Sequence, residues 1–242
     1  SVLQVDAATA IRKVVEKHGA TNGSLIVMDP ATGDVLAMAN WPSSDPDPTI
    51  GAGTRSLPSQ GLNPNTMQIF SPGSMFKALT LAKAWEDGVL GQNEAVYCAH
   101  SRSFGSTIIK DDESHGTAGH GYINPYDAIA RSCNMAAAAW ADKIKIDPMA
   151  DYIKQLGLTS RPVDKDVLVA VEKGLFVKDK WAPSLQLATL GYGQSLNTTP
   201  LALASAFTAI GNHGKRMKVR LVKVKAGTEI RVTEAGVIFK PE

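Results

Sequence analysis

Hydrophobic positions early in the chain change period twice. In residues 5–19 (VDAATAIRKVVEKHG), Ala8, Ile11, Val14 and Val15 recur at the spacing of one helix face, and Gly19 supplies a stop. Ser24 to Met28 (SLIVM) and Val35 to Ala39 (VLAMA) are short apolar runs, and the DPATGD between them is turn chemistry, so this segment predicts a β-hairpin. Residues 42–66, rich in Pro, Ser, Gly, Asp and Asn, predict a long surface loop. After Pro72-Gly73, the run SMFKALTLAKAWEDGVL places Leu79, Ala82 and Trp85 or Glu86 on successive helical turns and is closed by Gly88. Residues 91–123 are mixed and Gly-rich, with little periodicity. Asn124-Pro125 opens a helix through YDAIARSC, an alanine-rich helix follows Asn134 past Trp140 toward Ile144, and Asp147 to Leu156 forms another that ends at Gly157. Trp181 to Leu190 contains a short helical stretch. Thr198-Thr199-Pro200 starts a helix with a hydroxyl cap and Pro at its first position, and that helix is expected to bury Leu203, Phe207 and Ile210. Residues 217–225 (MKVRLVKVK) alternate apolar and basic, the period of a half-exposed strand, and residues 232–242 read as the run-up to a further helix. Strands at both ends with helices between them indicate one mixed α/β (α+β) domain over residues 1–242.

Composition narrows the classes without choosing among them. A 44% hydrophobic content over 242 residues is enough for a real core, and 20% charge is ordinary for a soluble globular protein. With 25 Lys plus Arg against 23 acids, net charge argues for no nucleic-acid partner. No stretch is apolar for the ~20 residues that a bilayer span requires. Ser1 to Asp6 has neither the basic nor the apolar region of a signal peptide. Cys98 and Cys133 are too few for a disulfide scaffold and lack metal-ligand spacing, so two free thiols are expected. A bridge would require an oxidising compartment and Cα atoms within ~7 Å. The five histidines form no metal-binding pair, and His115 and His120 are expected at the surface of a Gly-rich loop. No metal or cofactor is expected. The basic residues from His213 to Lys225 read as a solvated strand face, with attraction to anionic glycan or lipid surfaces as the alternative.

Two short motifs carry candidate chemistry. In Ser74-Met75-Phe76-Lys77, the preceding Pro72-Gly73 turn puts Ser74 at a helix N-terminus, with Lys77 one turn later on the same side. Unpaired N–H groups and the positive helix end there would stabilise a developing oxyanion, and a buried lysine of lowered pKa would accept the hydroxyl proton. Read alone, the same residues also fit a simple helix cap followed by a solvated lysine. In Ser132-Cys133-Asn134, at a loop-to-helix junction, a hydroxyl could relay a proton and an amide could hold a substrate carbonyl, although such residues also make ordinary caps. Ser-x-x-Lys followed by Ser-x-Asn is the order found in penicillin-binding proteins and serine β-lactamases, which add Lys-Thr-Gly.

Four segments then resemble the transpeptidase domain of monofunctional, class B penicillin-binding proteins in that family's order: Gly23 to Ala39, Ser71 to Lys77 (SPGSMFK), Ser132 to Asn134 (SCN) and Gly191 to Gly214 (GYGQSLNTTPLALASAFTAIGNHG). The resemblance implies a penicillin-recognition fold, an antiparallel sheet covered by helices with the serine in a cleft. It implies D-alanyl-D-alanine transpeptidation that cross-links peptidoglycan stem peptides through a Ser74 acyl-enzyme, at the outer face of the cytoplasmic membrane and with membrane-bound partners. Lys77 would take the proton of Ser74, Ser132 would relay one to the leaving group, and Asn134 would orient the donor peptide. A β-lactam would acylate Ser74. Gly191-Tyr192-Gly193-Gln194 is read as scaffold rather than site. The family's Lys-Thr-Gly is missing: Lys225-Ala226-Gly227-Thr228 lacks the hydroxyl at its second place and reads as a turn between two strands. The motif is expected first beyond Glu242, with a separate segment or a degenerate relative as the alternatives, and turnover is expected to need the missing part. Rival expectations are a serine β-lactamase or D,D-carboxypeptidase, and a non-catalytic β-lactam sensor or scaffold module.

Overall fold

A computed structural model describes residues 1–43, 63–104, 106–111, 118–163, 169–178, 183–221, 224–225, 228–229 and 231–240. Helix α1 (Val2–His18) is capped by the Ser1 side chain and stopped by Gly19, which lies in the left-handed region at φ 60°. Strands β1 (Gly23–Met28) and β2 (Val35–Trp41) pair antiparallel, with a register shift at Val27/Met28. In place of pure loop, the segment after this hairpin ends in a short helix, α2 (Pro64–Met67), because Asn63 caps it and Pro64 suits a first turn. Residues 44–62 of the predicted loop lie outside the described residues.

A 3-10 turn (Gly73–Met75) runs into α3 (Phe76–Glu86). The stretch 91–123, which shows no period, holds four strands: β3 (Val96–Cys98), β4 (Ser101–Phe104), β5 (Thr107–Lys110) and β6 (Gly121–Ile123). They pair β3 with β6 and β4 with β5, both antiparallel. At three or four residues each, they are too short for an alternation to register. Helices α4 (Pro125–Ala130), α5 (Asn134–Ile144), α6 (Ile146–Gln155), α7 (Pro183–Gly191) and α8 (Pro200–Gly211) follow. Asn124 and Thr199 cap α4 and α8 as their positions predict.

The C-terminal expectations need correction. The single strand read over 217–225 divides into β7 (Lys215–Met217) and β8 (Val224–Lys225). Alternation still holds at the break, where Met217 and Val219 are buried and Lys218 is exposed. β8 pairs with β9 (Thr228–Glu229), as the two-strand reading of 225–228 requires, while residues 226–227 are outside the described set. The expected run-up to a helix is instead strand β10 (Glu234–Val237), paired with β7. A three-residue strand such as β7 gains a hydrogen-bonding partner this way. In α8, Leu203 is buried, but Phe207 is only half-buried and Ile210 is 46% exposed. Leu201, Ala202, Ala206 and Ala209 form the inner face in their place.

The chain forms two compact units: residues Ser1–Phe70, Leu156–Gly174 and Thr198–Glu242 in the first, and Ser71–Gln155 and Leu175–Asn197 in the second. In the first unit, the two faces of the β1–β2 hairpin serve different cores. Leu25, Val27, Ala37 and Ala39 meet Ala7 and Ile11 of α1, whereas Ile26, Met28, Val35 and Met38 join Leu201, Val163 and Val219. Both faces are covered, which is why SLIVM is continuously apolar instead of alternating. Asp34, 4% exposed, holds Arg220 through its carboxylate, and this bond raises the guanidinium pKa further. In the second unit, α5 packs on α3 and α7, and the hydroxyl of buried Tyr152 (α6) donates to the Leu79 carbonyl at 3.0 Å. Removal from water pushes the Tyr152 phenol well above its ordinary pKa.

Candidate active site

All four residues singled out for chemistry lie in the second unit. Ser74 sits in the 3-10 turn ahead of α3, not on the first turn of the α-helix itself, and is exposed. Gly73 opens this turn at φ 57°, a left-handed conformation that glycine adopts without strain. Lys77 belongs to the buried face of α3 with Phe76, Leu79, Thr80, Leu81 and Ala84, and is 2% exposed. The inner face therefore keeps Leu79 but is shifted from the Ala82 and Trp85 or Glu86 positions that spacing alone suggests. Its ammonium donates to Ser132 Oγ at 2.8 Å and to the Ser132 carbonyl. A buried ammonium needs such acceptors, since an unpaired charge there would cost several kcal/mol.

Ser132 is held in an unusual backbone conformation, φ 53°, by the end of α4. Its N–H donates to Ile129 O at 3.0 Å, and that of Cys133 to Ala128 O at 2.9 Å. This left-handed elbow turns the chain into α5, where Cys133 Sγ accepts from Ala136 N. Asn134 is the first residue of α5. Its N–H donates to Asp111 Oδ1 at 2.9 Å, and its Nδ2 donates to the Lys110 carbonyl at 3.2 Å. The structure thus brings Lys77 and Ser132 into direct contact and hangs Asn134 from the end of β5.

Three features here were not legible in the sequence. Cys98 and Cys133 are not free thiols but a disulfide, with Cα atoms 7.3 Å apart. His120 is not at the surface: its side chain is 5% exposed, and its Nδ1 lies 3.3 Å from Asp111 Oδ2. His115 is outside the described residues. Asp111, 4% exposed, had no sequence signal at all. The ligand atoms of Cys98, Asp111, His120 and Cys133 lie within 4.8 Å of one another. While the two sulfurs are bonded to each other, the cluster offers a cation one carboxylate and one imidazole, fewer ligands than a structural zinc site uses.

The glycine-rich segment after α7 supports the nucleophile's turn. Gly193 lies at φ 80°, and its carbonyl accepts from Gly73 N at 3.0 Å. A Cβ added at Gly193 would stand 2.2 Å from Gly73 O and 2.7 Å from Phe76 Cβ. Gln194 is exposed. Gly193→Ala therefore adds a backbone clash to a left-handed conformation. It is expected to destabilise the protein by more than about 3 kcal/mol, read from the urea unfolding midpoint. A midpoint shift equivalent to less than ~1 kcal/mol would mean that Gly73 and Gly193 are not packed as described.

Over residues 23–239, the chain matches the family described as the penicillin binding protein transpeptidase domain. Penicillin-binding protein PbpB of Mycolicibacterium smegmatis is 28% identical over 236 residues, covering 96% of this chain and 35% of that protein. Peptidoglycan D,D-transpeptidase FtsI of Escherichia coli strain K12 is 28% identical over 224 residues, covering 92% of this chain and 36% of that protein. This chain spans about a third of the length of these curated relatives. The solved structure of penicillin binding protein 3 from Mycobacterium tuberculosis in complex with aztreonam matches with a TM-score of 0.83 at 25% identity, covering 98% of this chain and 52% of that one. Among the described residues, no helix is long and apolar enough to cross a membrane. With one family profile running from the first hairpin to the last strand, and likeness to the PbpB and FtsI proteins over nearly its whole length, this α+β chain belongs to the transpeptidase family of class B penicillin-binding proteins.

Proposed function

We propose that this chain supplies the catalytic serine, lysine and Ser-x-Asn motif of a D-alanyl-D-alanine transpeptidase that cross-links peptidoglycan stem peptides. The observation that carries this reading is the buried Lys77 side-chain nitrogen on Ser132, three residues along the helical run from exposed Ser74. Lys77 in its neutral form takes the proton of the Ser74 hydroxyl as Oγ attacks the carbonyl between the terminal D-alanines. Backbone N–H groups, that of Ser74 among them, hold the oxyanion. The proton passes through the Lys77–Ser132 contact to the departing D-alanine nitrogen, leaving an ester on Ser74. The amine of a second stem peptide then attacks the ester, and Ser74 recovers its proton. Asn134 orients the donor peptide's amide. A β-lactam enters the same first step, but its leaving group remains tethered. Both compact units act together as one transpeptidase domain. The protein works at the outer face of the cytoplasmic membrane, alongside membrane-bound cell-wall synthesis partners.

The test is acylation of the full-length protein, as encoded, by a fluorescent penicillin, followed by mass spectrometry. One penicillin should be found on the tryptic peptide ending at Lys77, and the adduct should persist through gel electrophoresis. Rapid release with free penicilloate would instead identify a hydrolase. A stable adduct without cross-linking of stem peptides would identify a sensor. No adduct would remove the enzymatic reading.

A further inference from the structure

Beside the catalytic constellation, one buried acid is placed to control it. Asp111 follows the last residue of β5. Its Oδ1 accepts the backbone N–H of Asn134, its Oδ2 faces His120 Nδ1, and its own N–H donates to the His100 carbonyl at 2.7 Å. The residue before it, Lys110, accepts the Asn134 side-chain amide through its carbonyl. Two consecutive residues of one strand end therefore fix both the backbone and the side chain of Asn134. With Nδ2 donating to Lys110, the orientation of the Asn134 amide is set, and its second N–H stays available to a substrate carbonyl. The N–H of Asn134 is one of the four that an α-helix leaves without an internal partner, and a carboxylate is the strongest acceptor for it. Cys98–Cys133 adds a covalent hold on the central residue of the same motif, and Cys98 Sγ lies 3.5 Å from Asp111 Oδ2.

We infer that Asp111 is a positioning residue for the acylation step: its carboxylate sets the placement of Asn134, and through it the binding of the acyl donor's amide. The inference rests on the reading of Asn134 under Proposed function. Ser132 is fixed separately, by the end of α4 and by Lys77. Loss of Asp111 should therefore weaken donor binding more than the chemical step. A helix cap of purely structural importance would lower stability without that selectivity.

The experiment is a double-mutant cycle in the full-length protein, read as the second-order rate constant of acylation by a penicillin with an acylamino side chain. Asp111→Ala should lower that constant by about 10- to 100-fold, mainly through weaker binding before acylation. In an Asn134→Ala background, the same change should cost less than about threefold, because its target is already gone. Asp111→Asn, whose carbonyl oxygen can still accept the Asn134 N–H, should recover most of the loss. Equal factors in the two backgrounds, or no loss in Asp111→Ala, would overturn the inference. So would a stoichiometric divalent metal in the purified protein whose removal by a chelator reproduced the defect, since Asp111 would then be a ligand. Labelling of wild-type Ser74 checks the underlying reading separately. Should that labelling fail, amide exchange still decides the tether. The Asn134 N–H should exchange at least about tenfold faster in Asp111→Ala, with α3 amides unaffected, and unchanged exchange would overturn it.

Discussion

Ser74→Ala protein should take up no penicillin, its acylation rate falling by at least about four orders of magnitude, while its melting temperature stays within about 2 °C of wild type. The two halves of this expectation have separate causes. Without Oγ there is no atom to form the ester, so no arrangement of the remaining groups compensates. Stability is spared because Ser74 is exposed, and the residues flanking its turn supply no side-chain cap that a substitution could remove. Alanine also suits a helical turn better than serine. Intact-mass spectrometry after penicillin treatment reads the first quantity and thermal unfolding the second. An adduct on the alanine variant would place the nucleophile elsewhere, and a large fall in melting temperature would make Ser74 a structural cap.

Lys77→Met should lower acylation by about 10²- to 10⁴-fold, the usual worth of a positioned acid–base group. Its effect on stability should be small by comparison, because two opposing terms nearly cancel. Ser132 Oγ and O lose their shared donor, which costs about 1–3 kcal/mol for buried polar groups. Against this, an unbranched apolar side chain of similar length replaces a cation that is only 2% exposed, removing its desolvation penalty. Lys77→Arg separates proton transfer from charge. The guanidinium keeps a positive charge and donors for Ser132 but stays protonated at any working pH, so this variant should remain as slow as Lys77→Met. Recovery of more than about a tenth of wild-type acylation with arginine would show that charge alone suffices and that Lys77 is not the base.

Much of the local structure was legible from residue order. Ser1 aside, the caps and stops of α1, α4 and α8 lie where Gly19, Asn124-Pro125 and Thr199-Pro200 predict them. The two caps depend on a side chain reaching three residues along its own backbone, and the Gly19 stop on a left-handed backbone open to glycine. The β1–β2 hairpin was equally plain, with turn residues between two apolar runs. The misreadings fall where a neighbour distant in sequence decides. Residues 234–237 become a strand because β7 offers an edge, and Ile210 stays exposed because the inner face of α8 is set by what covers it.

The candidate site divides along the same line. By itself the sequence determined the residue types and their local geometry: a serine and a lysine three positions apart behind Pro72-Gly73, and a serine and an asparagine bracketing a cysteine at a helix start. Only the tertiary structure decided that Lys77 meets Ser132 across 55 positions, that Asp111 holds Asn134 across 23, and that Cys98 joins Cys133 across 35. Periodicity relates side chains on one turn or one strand face because the backbone itself repeats there. Contacts across tens of residues follow from how loops close and helices pack, and the chain carries no local repeat that records them.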